Sequence, residues 1–421
     1  MSTAPRTRDR SRPHDIALWG ATGFTGQLVA EHLVRTRSTG DLRLALAGRS
    51  RPKLEALRDR LAGIDPAAAE LPIVVADSFD RSSLDAMTAN AEVVCTTVGP
   101  YARYGAKLVE SCVEHRTDYC DLTGETTFVR PMIDAHHEAA RERGCRIVCC
   151  CGFDSIPSDI GTLMMHRAMQ ERHGVAAQEV KLVVGDSRGE ASGGTVASML
   201  DMAQAMQRDK AVRVLVADPY GLNPEGERHG PDGPDRMGAL FDPDLDRWTG
   251  PFVMAAVNTR IVRRSNALLG YAYGRDFRYQ EVVGFPRGPR GMLGAWGLAA
   301  GMAGLFAAVA LPPTRALLTR FVLPSPGEGP DEATRESGYF RMRLFARGAG
   351  PEGPVLRGRV AGHKDPGYGA TAIMLGEAAR CLAVDGPELG TPGGILTPAS
   401  AMGETLLHRL RDAGLEFEVD G

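Results

Sequence analysis

Lysine is scarce, paired cysteine motifs are missing and neither charge sign dominates, and each gap removes a class of function. Lys occurs at five positions among 49 basic residues, which 52 acidic residues offset to a net charge of −3. Without a broad positive field the chain has no electrostatic means of holding a phosphodiester backbone, so nucleic acid is excluded as a partner. The eight cysteines form no C-x-x-C pair with histidine partners. The consecutive Cys149, Cys150 and Cys151 alternate faces on a strand and cannot close on one ion, so no metal is expected. The thiols read as small buried hydrophobes of a reducing cytoplasm. Met1 to His14 carries Arg6, Arg8, Arg10 and Arg12 among Ser, Thr and Pro and lacks an apolar core. It predicts a disordered tail over residues 1–14, not a secretion signal.

What is present is an ordinary soluble composition, 43% hydrophobic and 24% charged over 421 residues, long enough for two or three domains. The first organised signal is Ile16-Ala17-Leu18-Trp19, running into Gly20-Ala21-Thr22-Gly23-Phe24-Thr25-Gly26 and then Leu28 to Leu33. It reads as strand, glycine turn and helix. A pyrophosphate must approach the backbone closely and meet the free amides of a helix start. Gly20, Gly23 and Gly26 provide for this, with Thr22, Phe24 and Thr25 around them, in a G-x-x-G-x-x-G spacing. A second strand, Leu42 to Ala47, ends in Gly48-Arg49-Ser50, where an NAD site would place an acid on the ribose. The planar fork of Arg49 and the Ser50 hydroxyl suit a 2′-phosphate instead, so NADPH is the expected cofactor. A third strand ends at Asp77, placed to edge the adenine. A fourth runs from Glu92 into Gly99 and Pro100, which complete the expected cofactor contacts. Strands alternating with helical patterns predict an α/β class, with a doubly wound parallel Rossmann sheet over residues 15–160.

Three strings follow: Val98-Gly99-Pro100-Tyr101 with Tyr104-Gly105, the run from Tyr119 to Glu125, and Gly152-Phe153-Asp154-Ser155-Ile156-Pro157-Ser158-Asp159. With these strings the chain resembles the saccharopine dehydrogenase-like oxidoreductases. In length and layout it is similar to the actinobacterial trans-acting enoyl reductases. The resemblance implies an NADP-binding Rossmann domain, a second α+β substrate domain over residues 161–368, and an enzyme working with polyketide synthases on a lipid or polyketide intermediate held by an acyl carrier. True saccharopine reductases carry a Gly-x-Asp-Pro-Gly type of turn where this chain has Phe153 to Pro157, and no basic cluster awaits an amino-acid substrate. A saccharopine-type amino-acid or imine reductase is therefore the second reading. A lipid-surface binding protein retaining a non-catalytic dinucleotide fold is the third.

In a hydride-transfer enzyme the protein supplies position and a proton. Tyr101 and Asp154 follow the fourth and sixth strands at the crevice edge and are the catalytic candidates, with Tyr104, Asp121, Glu125 and Ser155 on the substrate side. Each has a plainer alternative: Asp154 as a helix cap, Tyr101 as packing, Asp121 and Glu125 as turn acceptors.

The second half predicts a strand from Glu179 to Gly185, a helix from Gly193 to Met206, a surface loop or lid over residues 223–235, and an antiparallel hairpin of Phe340–Leu344 with Val355–Val360. Met292 to Leu311 holds no charge across 20 positions, and 11 of them are Gly or Ala. It can be a buried core helix, a helix that meets lipid or lines an acyl tunnel, or a membrane span. Its Gly297 and Gly301 would admit a close helix neighbour. Residues 369–421 predict helices packing back on the Rossmann domain. The expected location is the cytoplasm, with peripheral contact at the inner face of the plasma membrane where the apolar helix meets lipid, and a homo-oligomer stays open.

Overall fold

The computed structural model describes residues 11–37, 42–189, 193–311, 313–314, 329–350 and 352–421. Most of the expected tail lies outside the described residues, but its end is ordered. Arg12 donates to the Ala91 carbonyl and, at 2.8 Å, to Thr117 Oγ1, and His14 opens the first strand.

Strands β1 (His14–Trp19), β2 (Leu44–Gly48), β3 (Ile73–Val75), β4 (Ala91–Thr96), β5 (Asp118–Cys120) and β6 (Arg146–Val148) form a parallel sheet in the order β6-β5-β4-β1-β2-β3. They are joined through α1 (Phe24–Thr36), α2 (Arg51–Ala62), α3 (Arg81–Ala89), α4 (Tyr101–Tyr104), α5 (Ala106–Glu114) and α6 (Thr126–Arg143). Helices cover both faces, so β1, β2 and β4 are apolar runs buried at nearly every position instead of alternating. Winding reverses between β1 and β4, and there a crevice opens beyond the carboxyl ends of the strands.

Helix α7 (Ile156–His173) leads to a second, mixed sheet of β7 (Glu179–Arg188), β8 (Leu240–Asp242), β9 (Arg247–Pro251), β10 (Arg278–Phe285), β11 (Tyr339–Arg347) and β12 (Val355–Gly362), ordered β12-β11-β7-β10-β9-β8. Its hairpin β11–β12 buries alternate residues, Phe340, Met342 and Leu344 facing α7 with Leu356 and Val360. The fit is tight: a Cβ on Gly161 of α7 would lie 3.2 Å from Leu344. Helices α8 (Gly193–Arg208), α9 (Lys210–Ala217), α10 (Ala255–Leu268) and α11 (Pro289–Ala310) complete this half. Residues 223–235 are a strap and not a free lid, because buried arginines of α10 hold it. Arg263 Nε donates to Asp232 at 2.7 Å and Arg260 to the Asp235 carboxylate.

Residues 369–421 were expected as helices alone, yet they also contribute β13 (Gly394–Leu396) beside β6 and β14 (Glu416–Val419) beside β12, one strand to each sheet. Helix Thr371–Arg380 packs on α1, where Glu377 Oε1 lies 2.9 Å from His32 Nε2.

Helix α11 overturns two of its three readings. Only 17% of its most apolar stretch is buried, which a core helix would not allow. It connects β10 to β11, and both pair with β7 in one sheet. A single span would put roughly 30 Å of hydrocarbon between them. An added Cβ at Gly297 or Gly301 would meet nothing within 4 Å, so no described element uses the close approach those glycines permit.

Candidate functional site

The site begins where β1 stops. Gly20 takes φ +87°, and a Cβ there would lie 2.6 Å from Val98 Cγ2 and 2.8 Å from Thr97 Oγ1. Gly26 faces the turn across the first coil of α1, where a Cβ would come 2.1 Å from the Gly20 carbonyl. These two glycines hold strand, turn and helix together at backbone distance. Gly23 has only the Gly20 carbonyl nearby, at 3.3 Å, and is exposed to the crevice. The first-turn amides of α1 have no partner within the helix, and no acidic residue stands in that turn to take them. The result is a cradle with positive character and room at its floor, which is what a pyrophosphate requires.

Arg49, at the end of β2, is exposed at the rim of the same crevice and makes no ion pair with any described residue. Ser50 sits at the N-cap of α2 without a side-chain hydrogen bond, and it lies outside the cavity lining. Asp77 borders the crevice while its Oδ1 accepts the Phe79 amide at 2.8 Å. Gly99 lines the crevice next to a cis bond to Pro100, which itself does not. A free guanidinium at the rim and an open glycine floor fit a dinucleotide with an added phosphate. Gly20, Thr22, Gly23, Phe24, Thr25 and Gly26 all border the space it would fill.

This crevice is one end of a cavity of about 1050 Å³ that continues between the two sheets. Its far end is walled by Met199, Met202 and Met206 of α8, Met254, and Phe306 and Val309 of α11. Met side chains at 199, 202 and 206 share a helix face, and their flexible thioethers fit irregular apolar ligands. Asp154 stands in the lining between the two halves, near Gly124, whose added Cβ would lie 3.6 Å from Asp154 Oδ2. No described residue hydrogen-bonds its carboxylate. Burial in this setting lifts its pKa from 3.8 to about 6.

Several residues expected on the substrate side are engaged elsewhere. Tyr101 is in the lining, but its hydroxyl donates to the Thr96 carbonyl at 3.1 Å and its ring packs on Phe128, so it is wall and not proton donor. Glu125 accepts the amides of Tyr101 and Ala102 at 2.9 and 2.8 Å and the Ser198 hydroxyl at 2.6 Å. It caps α4 from below and stays out of the cavity. Asp121 is fully buried, taking the amides of Thr123 and Cys150 at 3.0 and 2.9 Å and the Tyr119 hydroxyl at 2.8 Å. Those bonds steady Cys150 at φ +65°, and burial raises the Asp121 pKa to about 6. Ser155 donates to Asn258 Oδ1 at 3.0 Å inside the core. Tyr104 faces the cavity, as the Tyr101 ring does, with its own ring edge-on to Phe79 at 5.6 Å.

The structure adds residues that sequence reasoning passed over. Tyr368 lines the glycine-turn end of the cavity, its ring edge-on to Phe24 at 4.8 Å. Arg260 is a buried cation in the lining, held by Asp235 and by the Val216 carbonyl at 2.9 Å. The methionine spacing on α8 was legible as a helix face, whereas Tyr368 and Arg260 gave no local signal.

Residues 16–148 match the family model described as the saccharopine dehydrogenase NADP-binding domain. The chain is 42% identical over 415 residues to a trans-acting enoyl reductase of Mycobacterium tuberculosis, covering 96% of this chain and 97% of that one. It is 41% identical over 418 residues to the trans-acting enoyl reductase of Mycobacterium ulcerans, with the same coverage. Among solved structures, saccharopine dehydrogenase (L-Glu forming) of Saccharomyces cerevisiae superposes with a TM-score of 0.50 at 15% identity, over 96% of this chain and 98% of that one. That likeness establishes a shared fold. Near-complete coverage at this identity, together with an NADP-binding domain, makes the chain an NADP-dependent oxidoreductase belonging to the trans-acting enoyl reductase family.

Proposed function

We propose that the chain uses NADPH to saturate the carbon–carbon double bond of an enoyl thioester on a hydrophobic polyketide or lipid intermediate presented by an acyl carrier. The observation that carries this reading is the single cavity that joins the glycine turn and Arg49 to Asp154 and the methionine wall. NADPH, when bound, supplies the hydride that adds to the β-carbon. Gly20, Gly23, Gly26 and the α1 amides would hold its pyrophosphate and Arg49 its 2′-phosphate. Asp154 would hold the proton that reaches the α-carbon, so that hydride and proton together saturate the bond. A carboxyl with a pKa of about 6 can both give up and regain a proton near neutrality. The wall of Met199, Met202, Met206, Met254 and Phe306 would orient the acyl chain and exclude water from the reacting carbons. Tyr101 would serve by shape alone.

The test is NADPH consumption by the purified chain with 2-enoyl thioesters of increasing acyl length, on a carrier and free. Turnover that improves with chain length supports the reading. Tight NADPH binding with turnover only of imines or saccharopine would replace it with the amino-acid reading, and no NADPH binding would end both.

A further inference from the structure

We propose that α11 is a membrane-docking element, seating the mouth of the cavity against an anionic phospholipid surface. This goes beyond the reductase reading and rests on it only for what passes through the mouth. The helix meets the protein along a narrow stripe: Gly291, Ala295 and Ala299 are buried at four-residue spacing, and Leu298 packs where a Cβ on Gly250 would come within 3.2 Å. Val309 is buried as well, against the cavity, and most of the remaining positions face outward. Leu293, Trp296, Leu305 and Leu311 are 68%, 54%, 46% and 57% exposed. A surface helix in water carries charge on such a face, yet no charged residue occurs from Gly291 to Leu311.

The patch is continuous with the cavity. Phe306, at the far end of α11, is 47% exposed and also lines the cavity, as do Met237 at 55% and Val253 at 38% exposure. Phe306, Met237 and Val253 thus give an apolar path from the outer face of the helix toward the methionine wall, beside which Arg213 is turned onto the Met206 carbonyl at 2.7 Å. Lipid suits this face better than a protein partner does. Gly297, Gly301 and Gly304 leave shallow ground with nothing within 4 Å of an added Cβ, offering few anchors for a shaped partner. The exposed Trp296 is an interface-seeking side chain, and the exposed Arg290 just before the uncharged run is placed to meet phosphates, while its neighbour Arg287 is paired with Asp246 at 3.1 Å. With Gly and Ala filling 11 of the 20 positions from Met292 to Leu311, the drive for deep insertion is small. The contact is a reversible one at the surface.

The experiment is flotation of the full chain with vesicles of phosphatidylglycerol and phosphatidylcholine. The chain is expected to float, and Leu293→Glu with Leu305→Glu, neither in the cavity lining, to bind on the order of tenfold less while keeping NADPH affinity. Should those variants misfold, brominated lipid supplies the second measurement: it should quench emission of the unaltered chain, and Trp296→Phe should remove that quenching. A chain that stays unfloated, variants that float equally, or quenching that survives Trp296→Phe would overturn the proposal. A lipid-indifferent dimer that dissociates on Leu293→Glu would overturn it too, by giving the helix a second copy as its cover. Vesicle binding without enoyl turnover would fault the reductase reading alone, and turnover without vesicle binding would fault this one alone.

Discussion

Two stretches of this chain are rich in glycine, and the residue does opposite work in them. In the turn from Gly20 to Gly26, an added Cβ would strike backbone or side chain at 2.1 to 3.3 Å. In α11, Gly297, Gly301 and Gly304 have nothing within 4 Å. The first set lets strand, turn and helix converge at backbone distance, so its value lies in what surrounds it. The second leaves a helix smooth and apolar on its outer side, so its value lies in what is absent. A glycine triplet is thus interpretable only with knowledge of what approaches it.

Substitutions can sharpen or break this contrast. The largest effect belongs to Gly26→Ala, because the Gly20 carbonyl cannot retreat without moving β1 or α1. NADPH affinity should fall by roughly 100-fold or more and the fold should lose about 1–3 kcal/mol, read by ligand titration and thermal unfolding. Normal affinity in that variant would show the turn to be roomier than its contacts indicate.

Asp154 lies between the two regions and should affect chemistry without affecting either. Asp154→Asn should lower kcat by roughly 100-fold or more and leave NADPH affinity unchanged. In the unaltered chain, turnover should decline as pH rises through about 6, where Asp154 loses the proton it delivers. The same group opposes stability at neutral pH. Its folded pKa lies above the ordinary 3.8, so the native state holds the proton more tightly, and its contribution is present below pH 3.8 and lost as pH rises to about 6. Asp154→Asn should therefore raise stability at pH 7 by on the order of 1 kcal/mol, discounting for cavity water. A variant that loses stability at pH 7 while keeping kcat would recast Asp154 as structural.

Arg49→Glu should weaken NADPH by about 2–3 kcal/mol and NADH far less, since only the former brings a phosphate to the guanidinium. Equal losses for both would remove Arg49 from the phosphate. The smallest effect, and of reversed sign, is expected for Gly301→Ala. The open space there should let the better helix former stabilise the chain by about 0.5–1 kcal/mol with NADPH affinity unaltered. Destabilisation at Gly301 would mean that something does pack on α11.

Much of the fold was legible because it rests on local pattern. The apolar runs of β1, β2 and β4 between helical stretches announce a parallel sheet, and the alternation from Phe340 to Leu344 announces a half-buried hairpin. Strand order, the return of β13 and β14 to separate sheets, and the strap over residues 223–235 were not legible. They depend on pairings between distant segments and on the buried Arg260 and Arg263, whose carboxylate partners Asp235 and Asp232 lie well before them in the chain. The polar residues at the strand ends divide in the same way. Asp121, Glu125 and Ser155 follow strands that open on the crevice, yet all three side chains are buried outside the cavity lining, whereas Tyr101 lines it with its hydroxyl turned onto the Thr96 carbonyl. Unpaired amides and a Tyr119 hydroxyl nearby drew the carboxylates inward.

By itself the sequence determined the class of fold, the glycine turn with its guanidinium one strand later, and the uncharged run of α11, because composition, spacing and period are properties of neighbours along the chain. Tertiary structure alone decided that Asp154 stands free in the cavity while Asp121 and Glu125 are spent on backbone amides. It alone also decided that α11 lies outside the core with its far end at the cavity mouth. Hydrogen-bond partners and burial are set by segments brought together in space, and a carboxylate has no way to encode in its own vicinity which of them will reach it first.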